Sequence, residues 1–372
     1  MPARLTPAQI SRDLAVRDLT DPAAGPHAIQ LVLDRAVRAL ADRWGCEVRW
    51  WRGHRIVTIE DNYDNLGYDT ADVTRDARYT RYVDDHRMLR SHSSAMIPAA
   101  LRALAADPAE DVLLVCPGIV YRRDAIDRLH TGTPHQLDLW RVTRRAPRLG
   151  DAELDEMITA VLGALLPGAA DRRQARSHPY TLGGRQVDVA GDGWVEVAEC
   201  GLAHPDVLAM AGLPGWSGLA MGMGLDRMLM LVKDIPDIRL LRSADPAQLV
   251  DLARYRPVSA MPPVRRDLSI AADPADRAED LGDRVRDALG ADAECVESVE
   301  ILHETPCADL PARALARLGA RAGQKNILVR VVLRHLGRTL SDHEANVLRD
   351  RVYAALHRGG AHQWATGAPP SG

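Results

Sequence analysis

GIVYRRDAIDRLHTGTPHQLDLWRV, Gly118–Val142, is the stretch that decides how this chain reads. Ile119–Arg123 and Gln136–Val142 have strand composition, and the polar loop between them carries Gly132 and Pro134. A long antiparallel hairpin is expected there. Just upstream, Asp111–Cys116 (DVLLVC) has the pattern of a buried strand, with Pro117-Gly118 expected to stop it. Arg122, Asp124, His130, Gln136 and Asp138 fall on or beside the hairpin. Alternate strand residues share a face, so Gln136 and Asp138 point the same way, as do Arg122 and Asp124. Burying such charges unpaired would cost several kcal/mol each, on the order set by transfer from water. By residue type alone, the face is either a functional site or a solvated ribbon laced with salt bridges.

Two further segments flank the hairpin. MLRSHSSAM (Met88–Met96) places His92 and Ser94 ahead of a helix expected at 95–106, where an N-cap alone would explain them. GLAMGMGLDRMLMLVKDIPDIRLLRS (Gly218–Ser243) begins glycine-rich and becomes an apolar helix. Gly222 and Gly224 permit close backbone approach to a ligand. Arg227 sits on the first helical turn, where a cation opposes the helix dipole unless it serves an anion. A packing explanation of this glycine-rich turn also stands.

Outward from these segments, residues 27–45 carry apolar residues at helical spacing and end at Gly45. Short strands are expected at Glu47–Trp51, His54–Ile59 and Trp194–Ala198, and another helix at 152–166. Near residue 255 the texture changes, and Arg256-Pro257 and Pro262-Pro263 mark a linker. Beyond it the order is strand (Asp267–Ala272), helix (Ala275–Leu289), strand (Val296–His303), strand (Asn326–His335) and helix (Asp342–His357). Ser341 is the expected N-cap of the last helix, with Glu344 placed for a capping box. That order fits a small α+β sandwich of ferredoxin type. The expected division is an N-terminal extension 1–26, a large domain 27–250, a linker 251–264, a small domain 265–360 and a disordered tail 361–372.

Composition narrows the class. The 372 residues suffice for two domains. Formal charge is −4, so global charge does not advertise a polyanion partner, although a local basic face is still open. Five scattered cysteines show no zinc or C-x-x-C spacing, and no apolar run reaches membrane length, so a cytoplasmic protein is expected. The chain has no phenylalanine. About ten would be expected at ordinary usage.

Taken in order, these segments resemble the catalytic domain of phenylalanyl-tRNA synthetase. The hairpin resembles class II motif 2, and the segment with GLDR and IPDIR resembles motif 3. HPYT (His178–Thr181) and WVEVAECGLAHPDVL (Trp194–Leu208) stand where that family has its substrate-pocket strands. The region with YRPVSAMPPVRRDLSI and RHLGRTLSDHE is similar to the ferredoxin-fold anticodon-binding domain. The order on one chain is similar to the organellar single-chain form. The resemblance implies an α+β fold: a class II antiparallel sheet flanked by helices, plus a ferredoxin-like sandwich.

It also implies a chemistry: ATP, with Mg²⁺ on its phosphates, activates an amino acid as the adenylate, and the acyl group passes to the 3′ end of a tRNA of the tRNA-Phe type. In that scheme Arg122 meets the α-phosphate, Arg227 the adenine and terminal phosphates, and His130 the phosphates from its loop, with Asp124 beside this catalytic set. His92 and Arg122 face the substrate carboxylate. Ser94, Gln136 and Asp138 hold the ammonium. Pro134 and Gly224 border ATP. His178, Tyr180, Glu199, Leu219, Ala220 and Met221 line the side-chain pocket. No metal ligands are assigned, and the protein is expected to be a monomer or homodimer with no membrane partner.

The sequence departs from the family pattern where it matters for specificity. Pro134 replaces a phenylalanine that packs on adenine. His178 and Tyr180 replace two phenyl rings, Leu219 and Met221 replace aromatics, and Glu199 replaces a glycine. Unpaired polar groups in such a pocket would cost on the order of 1–3 kcal/mol each, so the substrate is either phenylalanine or a polar analogue. Alternatives are a biosynthetic adenylating enzyme with a non-tRNA acceptor, a specialised duplicate synthetase, and a non-catalytic tRNA-binding paralogue.

Overall fold

The computed structural model describes residues 4–75, 80–123, 126–191, 193–242, 249–254, 261–321 and 323–369. Asp124, part of the linker and the last three tail residues lie outside that set. The chain forms two compact units. One comprises 1–122, 133–236 and 244–255, and the other 123–132, 237–243 and 256–372.

The first unit opens with α1 (Pro7–Ala15) and α2 (Ala28–Trp44), then β1 (Glu47–Trp50). In α2, Ala28, Ile29, Val32, Leu33, Ala36, Val37 and Leu40 are all buried, as the 3.6-residue spacing requires. Gly45 ends it in the left-handed region at φ 57°. A small sheet of β2 (Ile56–Thr58), β3 (Arg81–Tyr82) and β4 (Arg87–Leu89) follows, with the one-turn helix α3 (Ile59–Asn62) after β2. Next come α4 (Ile97–Ala106), β5 (Asp111–Ile119), β6 (His135–Thr143) and α5 (Asp151–Leu165). The unit continues with β7 (Asp171–Ala175), β8 (Thr181–Gly191), β9 (Gly193–Ala203), α6 (Pro205–Met210), β10 (Ser217–Gly224) and α7 (Leu225–Lys233). Seven strands make the large sheet in the order β1-β5-β6-β10-β9-β8-β7, with only β1 and β5 parallel.

A hairpin forms, but its first strand is β5 rather than the expected Ile119–Arg123: Pro117-Gly118 does not break β5, and residues 120–123 lie beyond its end at Ile119. β5 runs through both residues, with Pro117 opposite Leu137 and Gly118 opposite Gln136. β1 stops opposite Val115, so the side on which proline lacks a donor has no neighbouring strand. Gly118 is needed for space. A Cβ there would lie 2.0 Å from the Arg90 guanidinium.

The sheet has two distinct faces. Asp138 and Trp140 of β6, Ala220 and Gly222 of β10 and Glu199 of β9 stand in register on the front. There Trp140 and Ala220 join a core with Leu101, Leu104, Leu114, Tyr180, Val207 and Leu208. On the back, Arg141 lies over the Trp44 ring of α2, 4.6 Å from its centroid.

The second unit carries β11 (Val264–Ala272), α8 (Ala278–Leu289), β12 (Val296–Pro306), α9 (Ala312–Leu318), β13 (Lys325–Leu333) and α10 (Asp342–Leu356). The three strands pair antiparallel in the order β11-β13-β12. Their core joins Leu268, Ile270, Val329 and Val331 to Leu281 and Val285 of α8 and Val352 and Leu356 of α10. Ser341 and Glu344 form the capping box of α10. Ile126 also belongs to this core, and its carbonyl accepts the Val299 N–H at 2.9 Å. The tip of the 118–142 hairpin is therefore part of the second unit, which no local pattern foretold.

The tail departs from expectation. Residues 361–369 fold back on α10 rather than running loose. The Asp350 carboxylate accepts the N–H groups of Ala365 and Thr366, each at 2.8 Å, and the Thr366 hydroxyl at 2.7 Å. Trp364 and His362 stack on each other beside Tyr353.

Candidate active site

Asp138 lies at the centre of the front face. Its side chain is buried, yet among the described residues no cation pairs with it. Ser93 donates to Oδ2, Ser94 donates to Oδ2 at 3.1 Å and Trp140 Nε1 donates to Oδ1 at 3.1 Å. Burial pushes its carboxyl up to about 6 despite these three donors. The turn Ser93–Met96 that brings the serines is held from the same strand, since the Ser93 N–H donates to Gln136 Oε1 at 3.1 Å. Gln136, Asp138 and Ser94 are thus brought together.

A second group holds Arg122. Asn62, fully buried on α3, clamps Ser91. Its Nδ2 donates to Ser91 Oγ at 2.9 Å and its Oδ1 accepts the Ser91 N–H at 3.1 Å. The Ser91 carbonyl accepts Arg122 Nε at 2.9 Å. Among the described residues neither terminal nitrogen of Arg122 takes a partner. A guanidinium anchored at one corner, with its outward fork open, suits an anionic ligand. His92 lies beside it. Burial, with Arg122 close by, drives its pKa down to about 3, so the ring is neutral. Its Nδ1 is buried with no hydrogen-bond partner, and Asn62 Nδ2 is 3.4 Å from Nε2.

The side-chain end of the site is aromatic and polar. Tyr180 stacks with Trp140 at 6.1 Å between centroids and with His178 at 5.7 Å. Tyr68 stacks with His92 at 5.8 Å and tilts against Tyr180 at 6.2 Å. His178 Nε2 lies 3.0 Å from Glu199 Oε2, and Arg176 Nε 3.3 Å from Glu199 Oε1. Burial acts to raise the Glu199 pKa, but His178, Arg176 and Arg122 together hold it below the usual glutamate value. Tyr180 is driven upward by burial, with Tyr68, Asp138 and Glu199 adding to the rise.

The register corrects two assignments. Leu219 pairs across from Arg141 and Met221 from Leu139, so both project to the back of the sheet, away from Asp138. Alternation along β10 puts Gly218, Ala220, Gly222 and Gly224 on the site face, so Ala220 is the one residue of that row with a side chain. Ala220 itself is 1% exposed and packed with Trp140 and Tyr180, so it is a covered floor.

The nucleotide-side assignments fall as follows. Gly224 caps α7, and a Cβ there would meet nothing within 4 Å. Arg227, in the first turn of α7, donates to the Glu196 carbonyl at 3.3 Å. Pro134 lies at the base of β6, its carbonyl bonded by Val120 N–H at 2.8 Å. His130 belongs to the second unit, with Nδ1 at 2.8 and 2.7 Å from the two Asp127 carboxylate oxygens. Asp124 lies outside the described residues.

Sequence reasoning missed the supports. Asn62 has no distinguishing motif, and within MLRSHSSAM only His92 and Ser94, not Ser91 and Ser93, stand out as candidates. Arg90, 2% exposed, donates to the carbonyls of Ile119 at 2.7 Å and Gly53 at 3.1 Å. His135, buried, accepts the Leu19 N–H on Nε2 at 3.1 Å, so its proton sits on Nδ1, 3.0 Å from Asp226 Oδ1. That bond joins the strand carrying Asp138 to the helix carrying Arg227. The only available signal was the adjacency of Asp226 to Arg227 in GLDR.

Comparison with known proteins identifies a family. Residues 13–251 match the family "tRNA synthetases class II core domain (F)". The phenylalanine–tRNA ligase alpha subunit of Prochlorococcus marinus (strain MIT 9313) is 33% identical over 233 residues, which is 61% of this chain and 68% of that protein. A probable mitochondrial phenylalanine–tRNA ligase of Drosophila melanogaster is 25% identical over 365 residues, 81% of this chain and 75% of its own length. The chloroplastic/mitochondrial phenylalanine–tRNA ligase of Arabidopsis thaliana is 28% identical over 313 residues, 80% of this chain and 68% of its own. With the matched region spanning the whole large sheet and the Asp138–Arg122 site, the chain belongs to the class II tRNA synthetases, in their phenylalanyl branch.

Proposed function

We propose that this protein activates an amino acid with ATP and transfers it to the 3′ end of a tRNA. The observation that carries this reading is Asp138, a buried carboxylate satisfied only by neutral donors from Ser93, Ser94 and Trp140; the segment bearing the two serines also supplies the Ser91 carbonyl that anchors the open-forked Arg122. A zwitterion fits that pair. Its ammonium neutralises Asp138, with Ser94 and Gln136 beside it. Its carboxylate lies toward Arg122 and the unpartnered Nδ1 of neutral His92.

In the first step a carboxylate oxygen attacks the α-phosphorus, and the bond to the pyrophosphate oxygen breaks. Charge grows on the α-phosphoryl oxygens, where a fixed guanidinium is worth most. Arg122 is assigned that role, since Asn62 and Ser91 fix it before the ligand arrives. Arg227 and the open backbone at Gly224 are assigned to the nucleotide. In the second step a ribose hydroxyl of the tRNA terminus attacks the adenylate carbonyl, AMP leaves, and the hydroxyl proton is lost. Among the described residues no group of three His, Cys, Asp or Glu side chains offers a metal cage. Mg²⁺ carried on the nucleotide phosphates would neutralise charge there. The second unit is assigned to tRNA.

Pyrophosphate exchange and aminoacylation of purified tRNA test this reading. Both activities are expected in the full chain. Arg122→Ala should lower exchange by about 10²- to 10³-fold, the usual scale for losing one transition-state donor. Amino-acid-dependent exchange without any aminoacylation would favour a non-tRNA acceptor instead.

A further inference from the structure

The end of the site that would receive the substrate side chain is not apolar. Trp140 is fully buried, and with Tyr180 it covers Ala220, the one small apolar residue on that stretch of β10. What remains is the row Asp138–Gly222–Glu199, in register across three adjacent strands, with Asp138 buried and Gly222 and Glu199 partly exposed. Adjacent strands are about 4.8 Å apart, so the two carboxylate residues stand roughly 10 Å apart at their Cα atoms. Gly222 keeps the gap between them clear. A Cβ there would meet only Asp138 Oδ2 at 3.7 Å and the Glu199 carbonyl at 4.0 Å. One amino acid can span that gap, with its ammonium on Asp138 and its side chain toward Glu199.

Glu199 is part of the site rather than of the outer surface. It is the leading charged influence on the Tyr68 phenol after burial, it acts on Tyr180, and Arg122 acts on it. Its side chain still keeps 29% of its exposure. The neighbouring His178 Nε2 is buried, close to Glu199 but off the line of a hydrogen bond. Arg176 Nε meets Oε1 at 3.3 Å, so a plain phenyl ring placed here would take water from a carboxylate partnered on that side alone, whereas a ring or chain ending in a donor would complete it.

Resting on the proposed activation of an amino acid, we propose that the preferred substrate carries a hydrogen-bond donor at the end of its side chain, received by Glu199, and that phenylalanine is the poorer substrate. Glu199 is then the residue that sets side-chain specificity.

The test uses the full chain and a panel of phenylalanine, tyrosine, meta-tyrosine, 4-aminophenylalanine and histidine. Binding is followed without ATP by calorimetry, and activation by pyrophosphate exchange. At least one donor-bearing member should exceed phenylalanine tenfold or more in kcat/KM. Glu199→Gly should erase or reverse that ratio, and Glu199→Gln, which keeps an acceptor, should retain part of it. Phenylalanine equal or superior in the parent protein, or a ratio unmoved by Glu199→Gly, overturns the proposal. If binding ranks the donor-bearing members first while none supports exchange, the specificity stands and the activation reading falls. Phenylalanine ranked first in binding overturns the specificity whatever the exchange shows.

Discussion

At the scale of the residue, the most consequential group is Asp138. An aspartate whose carboxyl is raised to about 6 by burial binds its proton more tightly in the folded than in the unfolded chain. The sign follows directly. Stability is greatest below the unfolded value near 4, falls as pH rises through about 6, and is then level. The loss amounts to at most about 3 kcal/mol. Asp138→Asn removes this titration. Its melting temperature, compared with the parent between pH 4 and pH 8, should move in the variant's favour by a few degrees as pH rises. A difference that stays constant with pH would contradict the assignment. The same group predicts an acid limb near pH 6 in kcat/KM for exchange, because a protonated Asp138 no longer attracts an ammonium. His92, already neutral, adds no limb in that range.

At the scale of the element, β5 and β6 are shaped by what passes beneath them. Arg90 reaches the Ile119 and Gly53 carbonyls only because Gly118 has no side chain. Gly118→Ala would displace a buried guanidinium from its acceptors. A destabilisation of about 1–3 kcal/mol or more is expected from the overpacking, measurable by urea denaturation. A loss under about 0.5 kcal/mol would mean that the guanidinium can move at little cost. The hairpin was legible in sequence because period-two patterning survives without tertiary context. Its uninterrupted first strand was not, since Pro117 reads as a breaker unless one knows that β1 ends opposite Val115. Leu219 and Met221 went astray for a related reason. A strand's two faces look alike in composition when both are buried, and only the pairing of β10 with β6 shows which one meets Asp138.

At the scale of the whole molecule, residues 123–132 are grouped with the C-terminal fold although they are distant from it in sequence. Ile126 is 8% exposed in that fold's core. Ile126→Ala should therefore lower protection of the β12 amides in hydrogen exchange, by an amount corresponding to about 2–4 kcal/mol. Unchanged protection there would show that the core does not depend on it. No helix among the described residues is long and apolar enough to cross a membrane, and all five cysteines are free. Without phenylalanine, the buried residues are mainly leucine, valine, isoleucine and alanine, with a few tyrosines.

The sequence by itself determined the order of elements, the amphipathic α2, the capping of α10 and the grouping of Gln136 with Asp138. Each depends on neighbours within a few residues, so helical and strand periodicity suffices. Tertiary structure alone decided the rest. It set the charge state and burial of Asp138, the Asn62–Ser91 clamp on Arg122, the Glu199–His178 pair and the return of Ile126 to a distant core. Those features come from residues far apart in the chain, and their energies come from desolvation and from geometry across strands, which no local pattern encodes.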